Sequence, residues 1–218
     1  MPDLTLYFVR HGESAANASH GRGTDGPGWD ELTERGWEQA RGLGRRLEGE
    51  GLELIVASPM RRAQETAEAI AEVLRLPVQT DDELHEIRQA DAFHTAAEDA
   101  RAPHATITWM PGAAPDFAPP GAESFADVTG RVHRVRDRLV THAGEHRVLA
   151  VSHFGFLHFL LGTTLFGPAF GPAHVTALYQ AGHANTGISV FERREGRIVD
   201  GVALPGWMLT TWNDRAHL

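Results

Sequence analysis

The 218-residue chain has no cysteine and no lysine; all 20 of its basic residues are arginine. Without cysteine there is no disulfide framework, no thiolate metal site and no cysteine nucleophile. Without lysine there is no Schiff-base chemistry and no Walker lysine to reach a nucleotide. Long hydrophobic runs are missing too. Stretches such as Leu4 to Val9 and Val148 to Val151 have strand length, far short of the ~20 residues that cross a bilayer. The N-terminal text MPDLTLYFVRHGES carries neither a basic segment nor a small-residue cleavage signal, so a cytoplasmic location and no membrane partner are predicted. The formal charge of −9 argues against nonspecific nucleic-acid binding, which draws on a basic surface. A small anionic substrate stays compatible, because a site responds to its local field rather than to the total.

What is present alternates between strand and helix patterns. Leu4 to Val9 reads as a buried strand that stops at Arg10-His11-Gly12, and a glycine-rich loop follows through Gly21, Gly23, Gly26 and Gly28. Thr33 is a candidate N-cap for a helix over about 34–49 with Trp37, Ala40 and Leu47 on one face. Leu52 to Ala57 reads as a second strand. Ser58-Pro59 supplies an N-cap and a first-turn proline for a helix bearing Ala63, Ala67, Ile70, Ala71 and Leu74 at helical spacing. From 88 to 120 the periodicity vanishes and prolines accumulate, which predicts a lid or insertion. Ser124 to Asp127 matches a capping box for a helix with Phe125, Val128, Val132, Val135 and Leu139 inward and Arg131, Arg134 and Arg138 on a solvated face. Arg147 to Ser152 is another buried strand, ended by His153 and an apolar helix. Further strands are predicted near 174–180, 187–193 and 197–203. The pattern implies one domain, 1–218, folded as a three-layer α/β/α sandwich around a mostly parallel sheet. Ligands bind such sheets beyond the carboxyl ends of the strands.

Two strands here end in a histidine followed by glycine or Phe-Gly, and that coincidence points to chemistry. At a strand end His11 is held rigidly, while Gly12 lets the backbone turn and bring an N–H toward an oxyanion. Arg10 offers a planar fork of donors to phosphate. A neutral imidazole attacks phosphorus only if one ring nitrogen is free, so the other must be tied to an acceptor. Arg62 falls in the first turn of its helix, where the dipole and the guanidinium serve the same anion. His153 ends the later strand and is placed to donate to a phosphoryl oxygen.

Arg10-His11-Gly12-Glu13 with Asn17, Leu32-Thr33 to Gly36 and Gln39-Ala40, and Ser58 to Arg62-Ala63 and Thr66-Ala67 together form a recognisable series. It continues with Leu84-His85-Glu86, Gly121 to Glu123-Ser124, Val151-Ser152-His153 and Asn185 to Ser189. In this order the series resembles the histidine phosphatase superfamily, the phosphoglycerate mutase-like family. The resemblance implies that His11 is the nucleophile that becomes phosphohistidine. Arg10, Arg62 and His153 would form the phosphate pocket, with Asn17 and Gly12 on the substrate. Glu86 would protonate the leaving oxygen and then deprotonate the attacking water. Three cationic or donor side chains neutralise the transferring group, so neither metal nor other cofactor is expected.

Past Glu86 the text Ile87 to Asp91 departs from the family's pattern, so the substrate side is not legible. Asp82 and Glu83 are alternative carboxylates, read as solvated loop charges; Glu13 is read as fixing the loop and Glu123 as a helix-start carboxylate. His85 is a candidate to face the substrate. His94 and His104 are read as lid surface, and Trp109 and Phe117 as pocket wall or lid anchor. The chain is short and lacks the extended insertion of mutases, which favours a phosphomonoesterase over a phosphoglycerate mutase and over a non-catalytic phospho-ligand binder. Its partner is then a small phosphorylated substrate. Trp207, Met208, Leu209 and Trp212 leave two options open, packing on the core or on a second copy in a homodimer.

Overall fold

The computed structural model of the chain describes residues 4–19, 28–89, 114–143, 147–194, 196, 198–203 and 206–218. Six strands form the main sheet: β1 (Leu4–Arg10), β2 (Leu52–Ala57), β3 (Val78–Thr80), β4 (Arg147–Ser152), β5 (Ile188–Arg193) and β8 (Trp207–Asp214). They lie in the order β3-β2-β4-β1-β5-β8. β3, β2, β4 and β1 pair in parallel, and β5 runs antiparallel between β1 and β8. β6 (Ile198–Val199) and β7 (Val202–Ala203) form a small separate hairpin.

Alternate residues of each strand feed two cores, which is why the strands read as continuous apolar runs. Leu4, Leu6 and Phe8 of β1, with Val148 and Ala150 of β4, pack under α4 (Phe125–Ala143), α5 (Phe154–Phe166) and α6 (Pro172–Tyr179). Tyr7 and Val9, with Leu149 and Val151, pack under α2 (Glu34–Arg46) and α3 (Arg61–Leu74) on the opposite face. The three-layer α/β sandwich is therefore present as expected. Within the sheet, Arg10 pairs with Ser152, Ala57 with Val151, and Ala57 with Thr80. The parallel strands thus end in one row, and the residues that follow each strand meet along one rim. No described helix is long and apolar enough to cross a membrane.

Several expectations are met in detail. Thr33 caps α2 by accepting from Gly36 N at 3.0 Å. Ser124 and Asp127 form the reciprocal capping box of α4, whose Phe125, Val128, Val132, Val135 and Leu139 are all buried.

Others are corrected. Met60, not Ser58, is the N-cap of α3; the Ser58 hydroxyl accepts from Met60 N at 3.3 Å and from His153 Nε2 at 2.7 Å. Trp37 is only half-buried and lies under the Arg41 guanidinium rather than in the core. The 174–180 segment is helical: Gly171 and Pro172 start α6, and Val175 and Leu178 bury one helix face. β8 is not among the predicted strands; all its residues but the exposed Thr210 are half-buried, with no alternation to read. Trp207, Leu209 and Trp212 on it pack against the core. Arg131 is buried rather than solvated. Most of the predicted lid, with His94, His104 and Trp109, falls outside the described residues, whereas Phe117 is described and exposed.

Candidate active site

β1 ends at Arg10, and the chain continues in register: the His11 N–H donates to Ser152 O at 3.0 Å. His11 is 3% exposed. Its Nδ1 lies 2.7 Å from Gly12 O, and its Nε2 lies 3.0 Å from Arg62 Nε. A guanidinium only donates, so Nε2 carries the lone pair and Nδ1–H donates to the Gly12 carbonyl. Burial first, then the charges of Arg62 and Arg10, push the His11 pKa well below its ordinary value, against the Gly12 hydrogen bond. The ring is neutral at physiological pH with its nucleophilic nitrogen fixed, the tautomer that attack on phosphorus requires.

Gly12 serves this geometry through its carbonyl. Its N–H does not point to an oxyanion as the sequence suggested; it donates to Thr66 Oγ1 at 2.9 Å. Thr66 in turn donates to Arg62 O at 2.6 Å. A Cβ at Gly12 would stand 2.7 Å from Gly36 O, so a larger residue would push α2 away from the loop.

Arg62 is the hub. From the first turn of α3 its Nε reaches His11, its Nη2 reaches His153 Nδ1 at 3.1 Å, and its Nη1 pairs with Asp30. The His153 ring therefore accepts at Nδ1 and donates from Nε2 to Ser58 Oγ at 2.7 Å. Burial, then His11 and the neighbouring cations, hold the His153 pKa far below its usual value. The two imidazoles lie 5.1 Å apart between ring centroids.

Arg10 donates through Nη1 to His183 O at 2.7 Å, and its guanidinium lies over Phe154. Its buried Nε–H has no hydrogen-bond partner among the described residues. The late segment 183–186 ties the strand end from the other side: Thr186 N donates to Arg10 O, and Asn185 Nδ2 donates to His11 O at 2.9 Å. Asn185 also donates to Asn17 Oδ1 at 3.0 Å, and Ser14 N donates to the same oxygen at 3.4 Å.

Glu86 lies at the start of α5. Its Oε1 accepts from Ile87 N at 2.8 Å and Phe156 N at 3.3 Å, and its Oε2 accepts from Gly155 N at 3.2 Å. A Cβ on Gly155 would fall 2.7 Å from Glu86 Oε1 and 2.6 Å from Ile87 Cδ1, so a larger residue would displace the tips of both side chains. His85 Nδ1 is bonded to Glu86 O at 2.6 Å. Glu83 is taken up by Arg134 and Arg138, and Glu13 Oε1 accepts from Thr33, as befits a loop-fixing role.

Sequence reasoning missed Asp30, Ser58, Thr66, His183 and Asn185 as parts of this cluster. All but Asp30 stood in or beside matched motifs but carried no spacing signal of their own. Asp30 is brought in by a loop whose path no pattern encodes.

The sequence profile of the histidine phosphatase superfamily (branch 1) matches residues 6–200. The chain belongs to that superfamily. Among curated relatives, the bifunctional protein Rv2228c of Mycobacterium tuberculosis is 36% identical over 168 residues, covering 73% of this chain. This chain spans only 44% of the length of that relative. The probable phosphoglycerate mutase GpmB of Salmonella paratyphi B is 29% identical over 222 residues, covering 99% of this chain and 95% of the relative. Among solved structures, the mycobacterial glucosyl-3-phosphoglycerate phosphatase Rv2419c in complex with VO3 has a TM-score of 0.73 at 27% identity, covering 97% of this chain and all of that one. The superfamily resemblance and the fold expected from the sequence are thus both borne out. The phosphohistidine route is general to that superfamily, and the relatives named here include a phosphatase and a probable mutase.

Proposed function

We propose that this protein is a metal-independent phosphomonoester hydrolase in which His11 Nε2 accepts the phosphoryl group. The observation that carries the reading is the tautomer of His11: Nδ1–H is committed to Gly12 O, and the Nε2 lone pair faces the Arg62 guanidinium. In the first step Nε2 bonds to phosphorus as the P–O bond breaks, and a protonated Glu86 gives its proton to the leaving oxygen. The phosphorylated ring keeps Nδ1–H on the Gly12 carbonyl, which stabilises its positive charge. In the second step Glu86 takes a proton from water, the water oxygen bonds to phosphorus, and the P–N bond breaks.

Arg62 and Arg10 hold the phosphoryl oxygens, Arg10 through a buried N–H that no described residue satisfies. The arriving dianion offsets the burial that keeps His153 neutral and draws Arg62 Nη2 to itself, so the vacated Nδ1 takes up a proton from solvent and donates to the dianion. Asn17 adds its amide N–H. Gly12 acts through its carbonyl on His11 rather than on the substrate. The substrate is a small phosphorylated molecule, and residues 88–120, read as a lid on a single domain, choose it. The cytoplasmic location expected from the sequence belongs to the same proposal.

Likeness to GpmB along nearly the whole chain makes mutase turnover the competing reading. A phosphate-release screen over sugar, glycerate, nucleotide and peptide phosphates, run beside a mutase assay primed with bisphosphoglycerate, separates the two. Phosphate release that vanishes in His11→Ala, with a phosphorylated form in the intact mass of the parent protein only, is the expected result. Mutase turnover with negligible phosphate release overturns the proposal.

A further inference from the structure

The loop that carries Glu86 is gripped by an ion pair that touches none of the groups assigned to the reaction. Arg131 on α4 and Glu123 just before it each have side chains only 3% exposed. Arg131 Nε and Nη2 donate to the two Glu123 carboxylate oxygens at 2.7 and 2.8 Å. Its Nη1 donates to Glu83 O at 2.7 Å and to His85 O at 2.8 Å. Glu123 Oε2 also accepts from Arg88 N at 2.9 Å, and Glu123 N donates to Arg88 O at 3.0 Å. These bonds fall on residues 83, 85 and 88, on both sides of Glu86. The Arg131 guanidinium lies over the Phe156 ring, and Phe156 N is one of the donors to Glu86 Oε1.

We infer that Arg131 and Glu123 are positioning residues for Glu86, setting where its carboxyl group stands relative to the leaving oxygen. A buried ion pair is a poor source of stability, because desolvation cancels most of its attraction. An apolar pair would fill the same space. What it would not do is hold two carbonyls and an amide of one loop at fixed distances, and that is where the polar atoms of this pair go. A carboxyl group that must meet both a leaving oxygen and, later, a water tolerates little displacement.

The inference rests on Glu86 being the general acid, so its test carries that reading as a control. The rate constant kcat/KM covers the steps up to departure of the leaving group. It is measured for p-nitrophenyl phosphate, whose phenolate leaves without a proton, and for a sugar phosphate, whose alkoxide does not. In Arg131→Lys the charge opposite Glu123 is kept, but one ammonium cannot span the carboxylate and both carbonyls. The sugar phosphate is expected to lose roughly 10–100-fold while the aryl phosphate changes by less than about threefold. Equal losses on both substrates, or no loss on either, overturn the inference. If Glu86→Gln itself fails to discriminate between the substrates, the acid assignment falls instead. Glu123→Leu with Arg131→Met, which keeps the space filled, repeats the comparison should the single variant not fold, with the same two outcomes.

Discussion

Around His11 the fixing bonds come from the Gly12 carbonyl and from Arg62 in the first turn of α3, whereas Glu86 is held by backbone N–H groups of its own loop and of α5, on the other face of the sheet. On the nucleophile side one residue, Arg62, connects both imidazoles and Asp30. On the acid side the carboxylate is held by three backbone N–H groups, and its loop by the buried Arg131–Glu123 pair. The nucleophile pocket is therefore a property of the sheet register, and the acid is a property of how α4 and α5 meet the loop. A change in α4 should reach one half of the site and leave the other in place.

The largest effect that sharpens this contrast is on stability. Arg131→Met alone strands the Glu123 carboxylate in the interior and is expected to cost ~3–5 kcal/mol. Arg134→Ala, on the same helix but paired with Glu83 at the surface, is expected to cost less than ~1 kcal/mol. Urea unfolding of both variants checks the difference; similar midpoints would mean that the Arg131 pair is no more buried than its neighbour.

Next in size is Gly155→Ala. The added methyl group collides with Glu86 and Ile87, so turnover of an alkyl phosphate is expected to fall about 100-fold. The His11 side should stay intact, which unchanged vanadate binding by calorimetry would show. Weakened vanadate binding would break the separation between the two halves.

A third expectation concerns the histidines of the nucleophile side. Burial is the leading cause that holds His11, His153 and His183 neutral, with His183 pushed down to about 3. Below about pH 6.5 the unfolded chain takes up protons on these rings and the folded protein does not. Their contribution is complete above about pH 6.5 and is lost as pH falls from there, through about 3 for His183. Each ring contributes up to ~1.4 kcal/mol per pH unit in that window. Melting temperatures at about pH 7.5 and about pH 5 should differ by several degrees; a flat profile would show that the rings are not held neutral.

The smallest effect is expected at Asp30. Its carboxylate competes with phosphate for Arg62 Nη1, so Asp30→Asn should tighten competitive inhibition by phosphate by a factor of about 2–5. Weaker inhibition would mean that Asp30 orients Arg62 rather than competing for it.

How far each half could be read in the sequence follows the same division. His11, Arg62 and His153 stand at strand ends or in a first helical turn, and those elements are marked by apolar runs and local spacing. Their meeting follows from parallel pairing alone. Glu86 was legible only by resemblance, and its support was misread. Arg131 stands three residues after Val128 and four before Val135, beside the apolar face, and only its charge suggested solvent; Glu123 and two loop carbonyls take up that charge inside. Ser58 had the signature of an N-cap, but the helix starts two residues later and its hydroxyl also holds His153. In both cases a long-range polar contact is involved, and one-dimensional periodicity carries no record of such contacts. β8 escaped for a different reason, since a half-buried strand on the sheet edge has no alternation to detect.

β1, the first strand in the chain, lies between two that come much later: it pairs with residues 147–152 on one side and 188–193 on the other. During synthesis this apolar segment emerges long before either neighbour exists, with both of its edges unpaired. Sheet closure must therefore wait until residues 188–193 have been made, which favours slow, high-contact-order folding and a long interval of exposure to aggregation. The strand that delivers the nucleophile is also the one most in need of chaperone protection while the protein is being made.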